Sequence, residues 1–596
     1  MSDNISKENN LFKMRHSAEH VLTMAMKELG YKFQMAMGPA TKTGFYFDFE
    51  LLEEEITAKD FEKIELKMEE IIKLDLPITK EIISFEKAKK LFENNTYKLE
   101  WINEFNEKGE ELTVYWFGEP NKEGSFVDLC KGPHVSSTKE IKAVKLLSIA
   151  GAYWRGNEKN KMLTRIYGTA FNTKEEIEEY LKNKEESEKN NHREIGKLLE
   201  LFTIIPEVGA GLPIWLPNGY TIRRVLEDYM YKMEKRAGYQ HILTPHINKE
   251  ILFKTSGHLE FYKDGMYAPI KIDDETYYLK PMNCPAGMMV YKQKPVSYKQ
   301  LPIKLGEFGT VYRYEKSGEL HGLQRVRGFT QNDAHIFCEP NQLEKEIVDV
   351  LTMMKRFYKD LGFTNYKFVL ALSDPKKEKY NFCGARKDWD WAEETLRKVM
   401  IESGLEFEEQ IGEAAFYGPK IDVLAVNVYG KADAISTVQI DFNLPERFEL
   451  DYINAEGEKK RPYVIHRALV GSFERFFAFL IEYYKGAFPT WLAPVQVEII
   501  PISEAHNEYA KKIKETLLNS DLRVETDNRN ETMGNKIRKA QEQKIPYMIV
   551  VGDKEIQANT ISVRNRNGEQ KNGITLEDFT NTINNNIMNK LLSLEI

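Results

Sequence analysis

Apolar and polar residues change period several times along the chain, and each change predicts an element. A polar opening of a dozen residues reads as a disordered tail over 1–12. MRHSAEHVLTMAMKELG follows, with Val21, Leu22, Met24, Met26 and Leu29 in the pattern of an amphipathic helix. Residues 172–199 are dense in Glu and Lys and read as one solvated connecting helix laced by i,i+4 charge pairs. From 200 to 493 the periods alternate. TIRRVLEDYMYKMEKRAG and KDWDWAEETLRKVMIESG predict helices, whereas YQHILTP, KFVLAL, KIDVLAVNV and STVQIDFNLP predict strands. Strands dominate, so an antiparallel sheet flanked by helices is expected here. After Pro494 come VQVEIIPI, a helix from about Glu504, LRVETD, a helix from Glu531, YMIVVG, ISVRNR and a last helix. Such regular β–α alternation predicts an α/β domain over 494–596. No internal repeat appears.

The most informative pattern is GEFGTVYRYEKSGELHGLQRVRGFTQNDAHIFC, residues 306–338. Two alternating runs flank a loop around Ser317 to Gly322, which predicts an antiparallel hairpin. The returning run, read as a strand from Leu323 to Phe337, puts Arg325, Arg327, Phe329, Gln331, Asp333 and His335 at period two, on one face. Burying such a face without a ligand would cost several kcal/mol per unpaired charge. A solvated outer face is the competing reading. A polar cavity, hence an active site, explains the mixture better.

Composition narrows the class. Hydrophobic residues make up 42% and charged residues 30% of 596 residues, as in soluble globular proteins, and the length suits several domains. No apolar run approaches a membrane span, and the start lacks a secretory core, so a cytoplasmic location without membrane association is expected. Four cysteines (Cys130, Cys284, Cys338, Cys383) are too few for a disulfide framework. A net charge of −8 argues against an indiscriminate nucleic-acid coat. Residues 529–571 nevertheless hold nine Lys/Arg against five Asp/Glu, a local basic stretch.

Beyond the hairpin, two sets of residues carry chemistry. His16 and His20 are four apart on a predicted helix face, and VDLCKGPHV adds Cys130 and His134. Read alone, these are either a zinc set or ordinary capping histidines. Cys284, His335 and His466 are too far apart for spacing to prove anything; a buried thiol and satisfied histidines are the default.

Arg313 with Glu315, the loop and then VRGFTQNDAH resembles motif 2 of the class II aminoacyl-tRNA synthetases, in the form found in the threonyl-tRNA synthetase family. LKPMNCP, FYGPKID (from Phe416) and VIHRALVGSFERF are similar to that family in the expected order. The likeness runs from about Arg15 to the C-terminus. It implies an α+β multidomain chain: an editing domain over 13–171, a helical linker over 172–199, a class II antiparallel core over 200–493 and an anticodon-binding domain over 494–596. The stretch from Thr221 to Pro245 resembles motif 1 and implies a homodimer. Most bacterial members carry a small ubiquitin-like domain first, and the early position of HSAEH leads one to expect none here.

The activity implied is ATP-dependent activation of L-threonine, transfer to tRNA(Thr), and hydrolytic editing of Ser-tRNA(Thr). By resemblance, Arg313, Arg475, Asp333, Gln331 and Tyr417 serve activation. Glu315, His321, Arg325, Phe329, Gln439 and Ser472 join Arg313 and Arg475 around ATP and its Mg2+. Cys284, His335 and His466 hold one zinc ion, whose open position would take the amino and hydroxyl groups of threonine; valine lacks the hydroxyl. Serine lacks only a methyl, worth about 1–3 kcal/mol, so a second hydrolytic site is the expected remedy. HSAEH and CKGPH resemble that site and imply editing by His16, His20, Lys98, Asp128, Cys130 and His134, through positioned water rather than metal. GDKE and SVRNR resemble the anticodon-binding domain, with Asn530, Glu555 and Arg564 at its recognition positions.

Two departures stand out. Ala434-Ile435-Ser436 replaces a usual Gln-Cys-Gly, and Ala286-Gly287 a usual Gly-His. Both are expected to border the zinc pocket. They leave room for a related ligase reshaped against an inhibitor or toward another amino acid. A synthetase-like RNA-binding regulator without catalysis is the third reading. The presence of Arg313, Arg475, Cys284, His335 and His466 argues against it.

Overall fold

The first helix, Ser2–Glu28, organises the N-terminal part of the molecule. The computed structural model describes residues 2–41, 43–53, 55–374, 385–415, 417–426 and 432–596, with 2–9 by backbone alone; Cys383 and Phe416 lie outside the described residues. Residues 2–12, expected as a tail, are helical from Ser2. Extending an existing helix needs no new nucleus, so a polar N-terminal stretch can continue it at little cost. The chain divides into two compact units, Met1–Glu186 and Ser187–Ile596.

In the first unit, a four-stranded antiparallel sheet runs in the order Phe33–Met35, Phe45–Leu51, Met162–Phe171, Ala143–Tyr153. Strict alternation in FYFDF turns Phe45, Phe47 and Phe49 inward, onto Ala18, Val21, Leu22 and Ala25 of the first helix. Each buried Phe contributes roughly 1.5–3 kcal/mol. Because that helix is buried on nearly every side over 14–26, its polar residues His16, Ser17, Glu19 and His20 are buried too. A smaller sheet, Ile78–Ile82, Thr113–Phe117 and Phe126–Leu129, brings Asp128 alongside. The helix Thr96–Glu107, capped by the Asn95 side chain accepting from the Lys98 N–H, brings Lys98.

The second unit is built on an eight-stranded sheet. Its order is Gln240–His241, Ile303–Tyr312, Gly328–Cys338, Tyr463–Val470, Ala432–Asp441, Lys420–Val426, Tyr366–Leu372, Phe407–Ile411. Pairing is antiparallel except at the two outermost pairs. Helices Leu343–Asp360, Arg386–Glu402 and Phe473–Tyr483 cover its apolar face. The hairpin is present, but its return strand begins at Gly328, so Arg325 and Arg327 sit in the loop and not on the strand face. Leu323 and Val326 are buried in that loop, and sinking them breaks the alternation before the strand starts.

The charged stretch 172–199 is also different from expectation. It forms two helices, Lys174–Lys189 and His192–Leu198, the second capped by Asn191 and burying His192 and Ile195. The C-terminal region is a five-stranded sheet in the order Val524–Thr526, Val497–Pro501, Tyr547–Val551, Ile561–Asn565, Gln570–Ile574. The last strand, QKNGI, is mostly exposed and has no apolar alternation to announce it. Two guanidiniums fasten this domain to the preceding core. Arg523 donates to the carbonyls of Ala493 (2.8 Å) and Trp491 (2.9 Å), and Arg566 to those of Ala487 and Phe488 (both 3.1 Å).

Candidate active sites

Antiparallel register sets the first site. His335 pairs directly with His466 across neighbouring strands, and His466 pairs on its other side with Gln439. One row of the sheet therefore carries three polar side chains side by side, with Asp333 and Gln331 stepping away along the His335 strand at period two. Cys284 enters from the first residue of the helix Cys284–Tyr291, where the helix N-terminus favours a thiolate. Its Sγ lies 3.3 Å from His466 Nδ1. Behind the ring, His466 Nε2 is 2.8 Å from Asp441 Oδ2, so the proton sits on Nε2 and the Nδ1 lone pair faces the thiol. His335 Nε2 is buried with no hydrogen-bond partner. One donor atom each from Cys284, His335 and His466 falls within 4.8 Å of the others. An unpartnered buried imidazole nitrogen, a thiol and a carboxylate-backed histidine suit a divalent cation such as zinc. Burial raises the Cys284 thiol, yet His466 and His335 outweigh it and hold it below its ordinary value. His466 is held well above its own, against burial, by Cys284 and Asp441.

Beside this cluster lies a cavity of about 470 Å³. Arg313, Glu315, Arg325, Phe329, Gln331, Tyr417, Gln439, Ser472 and Arg475 all line it. The sequence therefore selected residues from five separated stretches that the fold brings around one space. The Arg313 guanidinium lies over the Phe329 ring at 5.0 Å, and its Nε donates to Pro281 O. Ser472 caps the helix that carries Arg475, and Arg475 Nε donates to Gln324 O at 3.0 Å. Arg325 is paired with Glu315 (2.9 Å) and Glu319 (2.7 Å), so a phosphate would draw on a guanidinium that already has carboxylate partners. His321 and Asp333 are not on this wall. His321 sits in the loop, bridged through its backbone to Arg325, and Asp333 accepts from Asn283 Nδ2 at 3.2 Å. A Cβ at Gly309 would fall 2.4 Å from the Asn283 amide, so only glycine leaves Asn283 its place.

The departures face differently from expectation. Residues 434–436 border the 470 Å³ cavity, but the Ser436 hydroxyl points behind the sheet, donating to Leu469 O and accepting from Tyr358. Gly287 does abut the metal-type cluster: a Cβ there would stand 3.2 Å from His335 Nδ1.

The second site lies in the first unit. His16 Nε2 and His134 Nε2 are each 3.2 Å from Cys130 Sγ. His16 Nδ1 donates to Pro133 O at 3.0 Å, which leaves its Nε2 bare. Ser17 Oγ donates to Lys13 O and accepts from His134 Nδ1 at 3.1 Å, so that Nε2 is bare as well. One S–H cannot serve two lone pairs; the other is available to a water proton or to a cation. These three with His20 also form a set that could hold a metal ion. His20 Nδ1 is 3.3 Å from Asp128, whose other oxygen is 2.6 Å from Lys98 Nζ. All six expected residues thus converge, and all but His134 line a cavity of about 320 Å³. Burial pushes the Cys130 thiol up to about 12 and lowers His16 to about 4, so thiol and imidazole are both neutral at pH 7. Burial also raises Asp128, but Lys98 and His20 outweigh it and keep it below the usual carboxylate range.

Two residues escaped sequence reasoning here. Glu19, fully buried, reaches within 3.3 Å of His16 and 3.7 Å of His20, and burial, then repulsion from Asp128, raises its carboxyl well above the usual carboxylate range. Its position three after His16, on the same helical face, was the available signal. Asp441 had none, since its role depends on a strand far away in sequence.

In the C-terminal domain Glu555 accepts from Gly552 N–H (2.9 Å) and Ser562 Oγ (2.8 Å), and Ser562 is two residues before Arg564 on one strand face. Glu555 and Arg564 are therefore on the same side, while exposed Asn530 follows a different strand and makes no described contact with them.

Comparison with known proteins agrees across the chain. Residues 112–167 match the "Threonyl and Alanyl tRNA synthetase second additional domain", 267–484 the "tRNA synthetase class II core domain (G, H, P, S and T)", and 496–586 the "Anticodon binding domain". A threonine–tRNA ligase of Geobacillus sp. (strain WCH70) is 51% identical over 571 residues, 95% of this chain and 87% of that one. One from Staphylococcus epidermidis is 49% identical over 96% and 88%. The solved RNA binding domain of threonyl-tRNA synthetase from Cryptosporidium parvum Iowa II superposes with a TM-score of 0.63 at 34% identity, covering 68% of this chain and 99% of that one.

Proposed function

This chain belongs to the threonine–tRNA ligases, class II aminoacyl-tRNA synthetases with an editing domain, and on that premise we propose how its residues divide the work. ATP, used with Mg2+, occupies the 470 Å³ cavity. Arg313, just past the strand Ile303–Tyr312, and Arg475, on the helix Phe473–Tyr483, both line it and meet the negative charge that grows on the phosphates as the adenylate forms. Phe329 offers adenine a stacking face, Glu315 accepts from its amino group, and Gln439 and Ser472 complete the wall. Gln331 and Tyr417 orient the amino group of threonine, and Asp333 receives the hydroxyl proton. Cys284, His335 and His466 would hold zinc, which when bound supplies a Lewis-acid position for the amino and hydroxyl groups that threonine carries together.

Serine carries both groups as well. Discrimination by a missing methyl is worth about 1–3 kcal/mol, or about 10–200-fold, which the second cavity must supplement. There His16, His20, Cys130 and His134, braced by Lys98 and Asp128, position a water against the ester of Ser-tRNA(Thr). A thiol raised to about 12 supports hydrolysis by water rather than attack by sulfur. Asn530, Glu555 and Arg564 read the anticodon. A homodimer and a cytoplasmic location complete the proposal. Exposed Tyr231 and Leu243 in the motif 1 stretch, with Tyr220, Ile247 and Ile251 flanking it, support the dimer. Among the described residues no helix is long and apolar enough to cross a membrane.

The observation that carries this reading is that most of the two sets of residues line two separate cavities, one in each unit. The test is Cys130→Ala, or His16 and His20 replaced together. Threonine charging should persist while Ser-tRNA(Thr) accumulates; normal clearance of Ser-tRNA(Thr) would refute the editing assignment.

A further inference from the structure

His192 is fully buried, yet it belongs to the charged stretch between the editing unit and the catalytic sheet. Its Nδ1 lies 2.8 Å from Glu482 Oε1, and its backbone N–H donates to the same oxygen at 3.3 Å. A carboxylate oxygen only accepts, so the ring proton is on Nδ1 and Nε2 carries a lone pair. That lone pair accepts the backbone N–H of Leu323 at 3.1 Å. Leu323 lies in the loop between the hairpin strands, two residues after His321 and two before Arg325. The approach is close: Gly322 has φ +48°, and a Cβ there would stand 2.2 Å from His192 Nε2. The next loop residue is held as well, since Gln324 O accepts from Arg475 Nε at 3.0 Å. Glu482 and Arg475 are on one helix, Phe473–Tyr483. The imidazole therefore links that helix to the loop, one residue from the contact made by Arg475.

We propose that His192 is a positioning residue for ATP: by holding the Leu323 N–H it fixes the loop that presents Arg325 to the triphosphate. This rests on the reading that the loop receives ATP. It assigns a role in substrate binding to a side chain that touches no substrate.

The two imidazole nitrogens can be tested separately by ATP–pyrophosphate exchange. Asn places its amide near Nδ1 and Gln near Nε2. His192→Asn keeps the Glu482 contact and drops the loop contact, whereas His192→Gln sets an acceptor oxygen toward Leu323. His192→Asn should raise KM for ATP about tenfold, the worth of one hydrogen bond, with KM for threonine unchanged. His192→Gln should restore the wild-type KM. Arg325→Ala serves as the reference for the ATP reading itself. If Arg325→Ala raises KM for ATP while His192→Asn does not, or if Gln is as impaired as Asn, the positioning role is overturned. If Arg325→Ala is also silent, the ATP reading falls and the proposal with it. Should either His192 variant fail to fold, hydrogen exchange in the wild type decides. The Leu323 amide should be protected far more than that of Gly318 in the same loop, and equal, rapid exchange would overturn the proposal.

Discussion

Acid should weaken the editing unit through His16, and the structure sets the size of the effect. His16 is buried against Cys130, His20 and Glu19, and burial first, then repulsion from His20, lowers it from 6.5 to about 4. A group depressed in the folded state binds its proton sooner in the unfolded chain. Its contribution is thus fully present above pH 6.5, is lost as pH falls toward 4, and levels off below. Each pH unit in that window is worth about 1.36 kcal/mol, so moving from pH 7 to pH 5 should cost the unit about 2 kcal/mol from this residue alone. His134 is lowered by burial too and adds to the loss. The perturbation that isolates His16 is His16→Asn, which cannot titrate and keeps an amide toward Pro133 O. The assay is hydrogen exchange of the full chain, read on the strand Met162–Phe171 and corrected for intrinsic rates. Wild-type protection should fall between pH 7 and pH 5 by about thirtyfold more than that of His16→Asn. Equal losses in the two proteins would refute the burial argument.

Metal analysis should find one zinc ion per chain, lost with Cys284→Ala and retained with Cys130→Ala; two ions, or a loss with Cys130→Ala, would contradict water-based editing. Asp441→Asn should weaken zinc binding about 10–100-fold by withdrawing the carboxylate behind His466, measured by competition with a chelator. Glu555→Gln or Arg564→Ala should lower charging of tRNA(Thr) and leave ATP–pyrophosphate exchange unchanged, and equal losses in both assays would count against anticodon recognition. Ala434→Gln with Ile435→Cys reshapes the cavity wall and leaves Ser436 on Tyr358 and Leu469. Inhibitors that fill the space beside the substrate should then bind more tightly at unchanged KM for threonine, and unchanged inhibition curves would leave neutral drift as the account of these positions.

Residue chemistry was legible in the sequence; direction and backing were not. Strings such as VRGFTQNDAH and HSAEH announce themselves because a working site needs particular side chains at close spacing, and a strand or helix supplies that spacing at short range. Arg325 and Arg327 show the limit. Period two placed them on the strand, but burial of Leu323 and Val326 folds the loop inward first, and no local pattern weighs one against the other. Asp441 and Glu482 bear on the sites through partners 25 and 290 positions away, His466 and His192. His192 is the sharper case. A lone imidazole among glutamates and lysines looks like part of a solvated face, because amphipathic pattern registers apolar residues and is silent about a polar one that is buried. What marks it is its pair of contacts, an acceptor on Nδ1 and a backbone donor on Nε2, and both appear only when the sheet has closed. The residues that touch substrate are therefore readable from type and spacing, while those that hold them in place become visible only in three dimensions, where an unexplained buried polar atom must find its partner.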